Sequence, residues 1–327
     1  ELTHRSMLAN LLQVGSAMGY GTNDVLMGFL PFFHIYGQQV IMNTALAYGA
    51  TVVTMPRFDL ELYLKAHAQY GITLSFIAPP VAVLLAKHPA VNGADFSKVR
   101  VIFSDAAPLA AEVAADASAR LGCPLVQGYG MTELSPVSHL TPIGRDKPGS
   151  VGITVANAKA RIVDPETGAS VGPGQRGELW IHGPMVMVGY HRNPAATAST
   201  KDAEGWLHTG DVGYFDEDGY LFIVDRLKEL IKFKGFQVPP AELEGLLLTH
   251  PAVADSAVIG LPDEEAGELP VAFVVLKPGT SATAEEIRAF IAKQVATYKQ
   301  LHRITFIDVV PKSASGKILR RLLRDSL

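Results

Sequence analysis

The stretch that decides the fold class reads ELYLKAHAQYGITLSFI and runs from Glu61 to Ile77. Its first part, as far as Tyr70, is typical of a helix. Gly71 then ends that helix, because glycine readily adopts the left-handed conformation of a helix end. The apolar run that starts at Ile72 predicts a buried strand. One unit of helix followed by strand is therefore encoded in these 17 residues.

The same alternation continues further along the chain. Val99–Phe103 predicts a second buried strand, and Ala110–Leu121 predicts an alanine-rich helix that ends at Gly122. Strands that alternate with helices are typical of a layered α/β domain with a largely parallel sheet. We therefore expect an α/β multidomain protein whose large N-terminal domain covers residues 1–224.

Within that domain the pattern changes near Gly149. Short alternating segments at Lys159–Val163, Glu178–His182 and Gly219–Val224 are separated by turns rich in Gly, Pro and Asp. Such segments predict antiparallel strands. We expect a small β-rich subdomain over about residues 149–224.

The last hundred residues predict a separate, smaller α+β domain over residues 225–327. A helix at Ala241–Leu248 is followed by strands at Val253–Ile259 and Val271–Leu276. Thr283 and Glu286 have the spacing of a capping box, which predicts the start of another helix. A final strand is predicted from Ile304 to Val310. This element order is sufficient for a compact domain.

The composition excludes several classes of protein. Charged residues make up 18% of the 327 residues and hydrophobic ones 48%, which is typical of a globular protein. The net charge of −4 offers no basic surface for nucleic acid. No apolar run reaches the roughly 18 residues of a transmembrane helix. The single cysteine, Cys123, fits a reducing compartment, so we expect a cytoplasmic protein in which this thiol is inert packing.

Three polar segments are not explained by packing. In QGYGMTE, residues 127–133, two glycines flank a tyrosine that could stack on a flat ligand, and Thr132 and Glu133 suit a phosphate oxygen and Mg²⁺. In WLHTGD, residues 206–211, Asp211 suits the two hydroxyls of a ribose. In KSASGK, residues 312–317, small residues precede Lys317, which can carry a charge to a phosphate. The structural alternatives are a glycine-rich turn, an aspartate that holds a turn and a solvated basic tail.

In this order and spacing the segments resemble the acyl-activating, adenylate-forming superfamily, and within it the 4-coumarate–CoA ligases and related acyl-CoA ligases. The segments that carry the resemblance are LPFFHIYG (30–37), QGYGMTELSPV (127–137), GELWI (177–181), GY (189–190) and DRLKELIKFKGFQV (225–238). The resemblance implies an ATP-dependent carboxylic acid–CoA ligase that uses ATP, Mg²⁺ and CoA. Its partners would be a small carboxylic acid and these nucleotides, and not nucleic acid.

The resemblance also implies roles for individual residues. Lys317, Thr132, Glu133 and His34 would be catalytic, with Glu133 holding Mg²⁺ and Lys317 bridging the carboxylate and the α-phosphate. Nucleotide and CoA contacts would come from Gln127, Gly128, Tyr129, Gly130, Met131, Asp211, Arg226, Lys232, Lys234, Gly235, Phe236 and Gln237, with Lys228 as the hinge of a mobile C-terminal lid. The acyl pocket would be lined by His34, Tyr36, Phe103, Ala106, Pro136 and Val137. A satisfied core histidine is the alternative for His34.

The segment predicted to line the acyl pocket differs from the family pattern at two positions. Phe103 is bulky, and Asp105 occupies a position where relatives have glycine. Both weaken the transfer of a particular acid substrate. The other functional classes are a peptide-synthetase-like or luciferase-like adenylating enzyme and a module that binds nucleotide without turnover.

The first residues bear on that last alternative. Relatives carry a Gly-, Ser- and Thr-rich phosphate loop just before the segment that matches Leu2–Arg5. The sequence opens at Glu1, so we expect the chain to be a fragment that adenylates poorly by itself.

Overall fold

The helices and strands were located in a computed structural model that describes residues 1–105, 109–313 and 316–327. The helices of these residues are α1 (His4–Met18), α2 (Thr44–Tyr48), α3 (Leu60–Tyr70), α4 (Pro79–Lys87), α5 (Ala111–Leu121), α6 (Pro194–Thr200), α7 (Pro240–Thr249), α8 (Ala284–Ala292) and α9 (Arg320–Arg324). A π-helical segment, Tyr36–Asn43, precedes α2 and was not expected from the sequence.

In the first half of the chain, most strands of the described residues alternate with these helices. They are β1 (Val25–Gly28), β2 (Thr51–Thr54), β3 (Leu74–Ile77), β4 (Val101–Ser104), β5 (Leu125–Gly130), β6 (Val137–Leu140), β7 (Ile153–Thr154), β8 (Lys159–Val163), β9 (Gly177–His182), β10 (Leu207–Phe215), β11 (Leu221–Arg226), β12 (Ile231–Phe233), β13 (Phe236–Val238), β14 (Val253–Asp263), β15 (Gly267–Leu276) and β16 (Arg303–Phe306).

The described residues divide into two compact units. The first comprises Glu1–Thr209 and Gly213–Ile223, and the second comprises Gly210–Val212 and Val224–Leu327. The predicted α/β multidomain class is confirmed. No helix of the described residues has the length and apolar character that a membrane span requires.

The first unit is built around a seven-stranded sheet in the order β2-β1-β3-β4-β5-β6-β7. The strands from β2 to β5 are parallel, and β6 and β7 add antiparallel to that edge. Every residue of β3 and β4 is buried, as the continuous apolar runs predict for a sheet covered on both faces. Strands β8 to β11 form a separate four-stranded sheet.

Local sequence explains how the α3–β3 unit is bounded. The Asp59 carboxylate accepts a hydrogen bond from the Leu62 N–H at 2.9 Å and caps the start of α3. Gly71 ends the helix with φ of +62°, a conformation that costs glycine little. The predicted helix–strand unit is therefore present, with the strand shortened to Leu74–Ile77.

The second unit has one sheet in the order β13-β12-β15-β14, and β16 pairs with β15 in parallel. The predicted capping box of α8 is confirmed, because Glu286 N–H donates to Thr283 Oγ1 at 3.1 Å and Thr283 N–H donates to the Glu286 carboxylate at 2.8 Å. The predicted strand 304–310 was too long. Its last ladder bond is Ile307 N–H to Val274 O, and the charged Asp308 and the 73% exposed Val309 lie beyond it.

Candidate active site

The glycine–tyrosine segment lies where β5 leaves the parallel part of the first sheet. Met131 N–H donates to the Pro136 carbonyl at 2.9 Å, which folds the chain back toward β6. Gly130 sits inside this fold, because a Cβ at that position would lie 2.3 Å from the same carbonyl oxygen. Gly130 therefore packs closely against the backbone of its own loop.

Gln127 and Tyr129 of this segment both contact other residues of the first unit. Gln127 Oε1 accepts from the Leu109 N–H at 3.2 Å, and the Gln127 carbonyl accepts from the Thr141 hydroxyl at 2.7 Å. The Tyr129 ring is only 8% exposed and meets the ring of His139 edge-on, with 6.0 Å between centroids.

His139 supports Tyr129 and was missed by the sequence analysis. Ser138 Oγ lies 3.0 Å from its Nδ1 and Thr154 Oγ1 lies 3.1 Å from its Nε2, so both ring nitrogens are bonded. Complete burial lowers the pKa of His139 to about 3, which keeps the imidazole neutral. All four residues of β6 are buried and its sequence VSHL does not alternate, so no local pattern marks His139.

Thr132 and Glu133 follow in a short 3₁₀ turn. Thr132 is exposed, whereas one carboxylate oxygen of Glu133 accepts from the Tyr190 hydroxyl at 2.8 Å. Within the described residues no group of three or more His, Cys, Asp and Glu side chains could hold a metal ion. A single carboxylate fits Mg²⁺ that arrives with nucleotide phosphates, because that ion usually keeps water and phosphate as its other ligands.

The residues predicted for the acyl pocket are only partly brought together. The Tyr36 hydroxyl donates to the Phe103 carbonyl at 3.3 Å, and Phe76 stacks on Phe103 with 5.9 Å between ring centroids. Burial, with the charge of Asp105, raises the pKa of Tyr36 well above its usual value. Val137, which follows Pro136, lies on β6 and is separated from β4 by β5. Ala106 lies outside the described residues.

His34 is half-buried next to the π-helical segment. Its Nδ1 accepts a hydrogen bond from the Tyr36 N–H at 3.2 Å. Partial burial lowers the pKa of His34, which favours the neutral ring that this acceptor role requires.

The backbone of Val137 is fixed by Asn10, whose amide accepts from Val137 N–H at 3.1 Å and donates to Val137 O at 2.6 Å. Asn10 was not identified from the sequence.

The second unit brings together three of the predicted polar residues. Arg226 Nε lies 3.3 Å from Asp211 Oδ1, and the Asp211 side chain is only 9% exposed. Lys317 is electrostatically coupled to both: partial burial and the charge of Arg226 lower its pKa, and Asp211 acts in the opposite direction. Ser313 holds Lys317 by two hydrogen bonds, from Ser313 N–H to Lys317 O at 2.8 Å and from Lys317 N–H to Ser313 Oγ at 3.2 Å.

The segment after the predicted hinge forms a tight hairpin. Lys228 is exposed in the connection from β11 to β12, and Lys232 pairs with Gln237 across the hairpin. Lys234 and Gly235 form its turn with φ of +48° and +82°, as a two-residue turn with both residues left-handed requires. Sequence reasoning did not predict this turn, although a glycine-containing pair between the two short alternating segments IKF and FQV is a signal for it.

Phe236 is 54% exposed and stacks on Tyr298 with 4.6 Å between ring centroids. A cavity of about 390 Å³ opens beside this pair. It is lined by Phe233, Arg288, Thr297, Tyr298, Gln300, Leu301 and His302. Its lining combines aromatic rings with the amide of Gln300 and the guanidinium of Arg288, whose Nε donates to the Leu301 carbonyl at 3.0 Å.

Comparison with known proteins identifies the family. The model of the AMP-binding enzymes matches residues 1–191, and that of the AMP-binding enzyme C-terminal domain matches residues 242–317. A 4-coumarate–CoA ligase 2 of Oryza sativa subsp. japonica is 48% identical over 336 residues, which cover 100% of this chain and 59% of the relative.

Solved structures agree with this comparison. The chain matches ATP-bound MatB from Rhodopseudomonas palustris with a TM-score of 0.93 and 32% identity, over 99% of this chain and 64% of that one. It matches o-succinylbenzoate CoA synthetase from Bacillus subtilis, in complex with its acyl-adenylate, with a TM-score of 0.89, 30% identity and coverages of 99% and 66%. The chain spans about 60% of the length of the curated relatives it matches. This chain belongs to the family of AMP-binding enzymes.

Proposed function

We propose that this chain takes part in ATP-dependent ligation of a carboxylic acid to CoA. In the first step a carboxylate oxygen attacks the α-phosphorus of ATP, and the bond to pyrophosphate breaks. In the second step the CoA thiol, after losing its proton, attacks the acyl carbonyl and AMP leaves. The observation that carries the proposal is the group of Asp211, Arg226 and Lys317 in the second unit, where a buried carboxylate pairs with Arg226 and also interacts electrostatically with Lys317.

The chemistry of the first step explains why a lysine suits position 317. Negative charge accumulates on the phosphate oxygens as the carboxylate approaches, so a fixed cation stabilises the transition state more than the ground state. Partial burial of Lys317 strengthens that interaction, because less water screens it. Asp211 and Arg226 would bind the ribose, and the Asp211–Arg226 ion pair fixes the acceptor oxygens before a nucleotide arrives.

The first unit would supply the remaining nucleotide contacts. Tyr129 would contact the adenine, Thr132 the α-phosphate, and Glu133 the Mg²⁺ ion, which supplies further positive charge when it is bound with ATP. Tyr190 would orient the Glu133 carboxylate through its 2.8 Å hydrogen bond. His34, Tyr36 and Phe103 would contact the acyl group.

The hairpin of the second unit would serve the second step. Lys234, Gly235 and Phe236 would meet the pantetheine arm, and the cavity beside Tyr298 would receive the nucleotide end of CoA. One domain can serve two transition states only if it presents different faces in turn, and Lys228 is the proposed hinge for that change. A relative named for 4-coumarate supports aryl acids as the first substrates to test.

The test separates the two half-reactions. Protein expressed from the whole gene is assayed for acid-dependent pyrophosphate release with aryl, medium-chain and long-chain acids, and separately for CoA-thioester formation from supplied acyl-AMP. We expect Lys317→Ala to reduce adenylation by about 100-fold or more, as loss of a transition-state donor does, and to leave the second reaction nearly unchanged. Equal loss in both half-reactions would contradict the proposed role of Lys317.

A further inference from the structure

The edge of strand β14 is closed by side chains. Within the described residues β14 ends the strand order of its sheet. Val258 N–H donates to Glu244 Oε1 at 2.8 Å, and the Val258 carbonyl accepts from Arg320 Nε at 3.2 Å. Arg320 Nη2 also lies 2.7 Å and 2.9 Å from the two Glu244 oxygens. Arg320, Glu244 and Val258 therefore form a closed ring of hydrogen bonds, which we term the Arg320 clasp.

The clasp joins three elements that are far apart in sequence. Glu244 belongs to α7, Val258 to β14, and Arg320 begins α9. Glu229, the residue after the proposed hinge Lys228, lies 3.0 Å from Arg324 Nη2 and 3.9 Å from Arg320 Nε. The C-terminal segment is thus tied both to the sheet edge and to the start of the hairpin segment.

Lys317 lies only three residues before Arg320. Three residues span at most about 10 Å, so fixing the Arg320 backbone restricts where Lys317 can be. On its other side Lys317 is held by Ser313, and Lys312 Nζ binds Asp255 on β14 at 2.6 Å. The short loop that carries Lys317 therefore has anchors at both ends.

We propose that Arg320 is a positioning residue for Lys317, and that the clasp holds the Lys317 loop in the place from which the ammonium group acts. The inference rests on the proposed role of Lys317 in adenylation. Arg320 is not proposed to touch the nucleotide. Its effect on the first half-reaction would pass through the backbone that it fixes.

Burial makes the clasp costly to break. The side chains of Arg320 and Glu244 are 14% and 12% exposed, and burial raises the pKa of Glu244 to about 7 while Arg320 acts against that rise. Without Arg320, the Val258 carbonyl loses its partner and the Glu244 carboxylate is left buried without its cation. Both losses favour release of the segment from the sheet edge.

The first measurement tests the clasp without relying on turnover. Hydrogen–deuterium exchange is followed for the peptide that contains residues 311–320 in the wild type, Arg320→Met and Arg321→Met. Arg321 is the exposed neighbour and serves as the matched control. We expect Arg320→Met to exchange at least ~10-fold faster at the amides of Lys317 and Leu319, and Arg321→Met to match the wild type. Unchanged exchange in Arg320→Met would overturn the inference.

The second measurement tests positioning. In Arg320→Met the kcat of adenylation should fall by about 10- to 100-fold with the KM for ATP unchanged, because a displacement of ~1 Å is sufficient for such a loss. Thioester formation from supplied acyl-AMP should be retained. Arg320→Lys should recover part of the rate, since it restores the charge next to Glu244 but not the second bond to Val258. Equal loss in both half-reactions would show a merely structural role.

Lys317→Ala, assayed in parallel, separates the two hypotheses. If Lys317→Ala retains adenylation, the proposed function of Lys317 fails, and the positioning inference fails with it. If Lys317→Ala loses adenylation and Arg320→Met does not, only the positioning inference fails. Loss in both variants, with the second half-reaction spared in both, supports the inference.

Discussion

At the scale of single residues, close packing of the backbone explains why the glycine–tyrosine segment has a glycine at position 130. A Cβ atom at position 130 would lie only 2.3 Å from the Pro136 carbonyl oxygen. That oxygen already accepts a hydrogen bond from the Met131 N–H, so it cannot move away easily. The glycine is therefore required by the return of the chain to β6. Whether it also admits a nucleotide is a separate property that substitution can test.

We expect Gly130→Ala to destabilise the protein by about 1–3 kcal/mol, as overpacking of a closed site does, and to weaken AMP binding. Thermal unfolding and calorimetric titration with AMP measure the two effects. Gly172→Ala is the control, because a Cβ there would have no heavy atom of the described residues within 4 Å to clash with. Wild-type stability in Gly130→Ala would contradict the packing argument.

At the scale of elements, the start of α7 shows how a helix prediction can be right for an incomplete reason. Pro239 and Pro240 precede the predicted start at Ala241, and proline suits the first turn of a helix. In the structure the first turn also has a cap that comes from β11. One Asp225 oxygen accepts from Ala241 N–H at 2.8 Å, and the other accepts from Arg226 N–H at 2.7 Å.

Asp225→Ala should lower the free energy of unfolding by about 1–3 kcal/mol, because two partly buried backbone donors lose the buried carboxylate that accepts from them. Asp225→Asn should lie between alanine and the wild type, since its single carbonyl can serve only one donor. Chemical denaturation of the three proteins gives the order. The exposed Asp308→Ala is the control and should change stability by less than about 0.5 kcal/mol. An Asp225→Ala protein as stable as this control would refute the capping role.

At the scale of the whole molecule, the first unit buries histidines in neutral form. His67 is 2% exposed between the rings of Tyr63 and Phe96, and its Nδ1 bonds the Tyr63 carbonyl at 2.8 Å. Within the described part of the chain its Nε2 has no hydrogen-bond partner. Burial lowers the pKa of His67 to about 4. This ring is a source of pH-dependent stability.

Because the unfolded chain binds a proton at His67 near pH 6.5 and the folded protein does so only near pH 4, stability should fall as the pH drops through this range. Well above pH 6.5 the ring is neutral in both states and the contribution is constant. The slope from one such group is at most about 1.4 kcal/mol per pH unit. Denaturation curves at pH 7.5, 6 and 5 measure it. His67→Leu should make the slope smaller but not abolish it, because His139, with a pKa of about 3, still contributes, and His4→Gln, at an exposed site, should leave it unchanged. An equal slope in His67→Leu would contradict the assignment.

The sequence by itself determined the α/β class, the helix–strand unit ending at Ile77, the capping box of α8 and the family resemblance. Each of these depends on local periodicity, on a cap or on a contiguous motif, so neighbouring residues contain the information. The tertiary structure alone decided that Asn10 holds Val137, that His139 supports Tyr129 and that Arg320 closes the edge of β14. These contacts join residues separated by as many as 127 positions, and whether buried polar groups meet depends on packing that no local pattern contains.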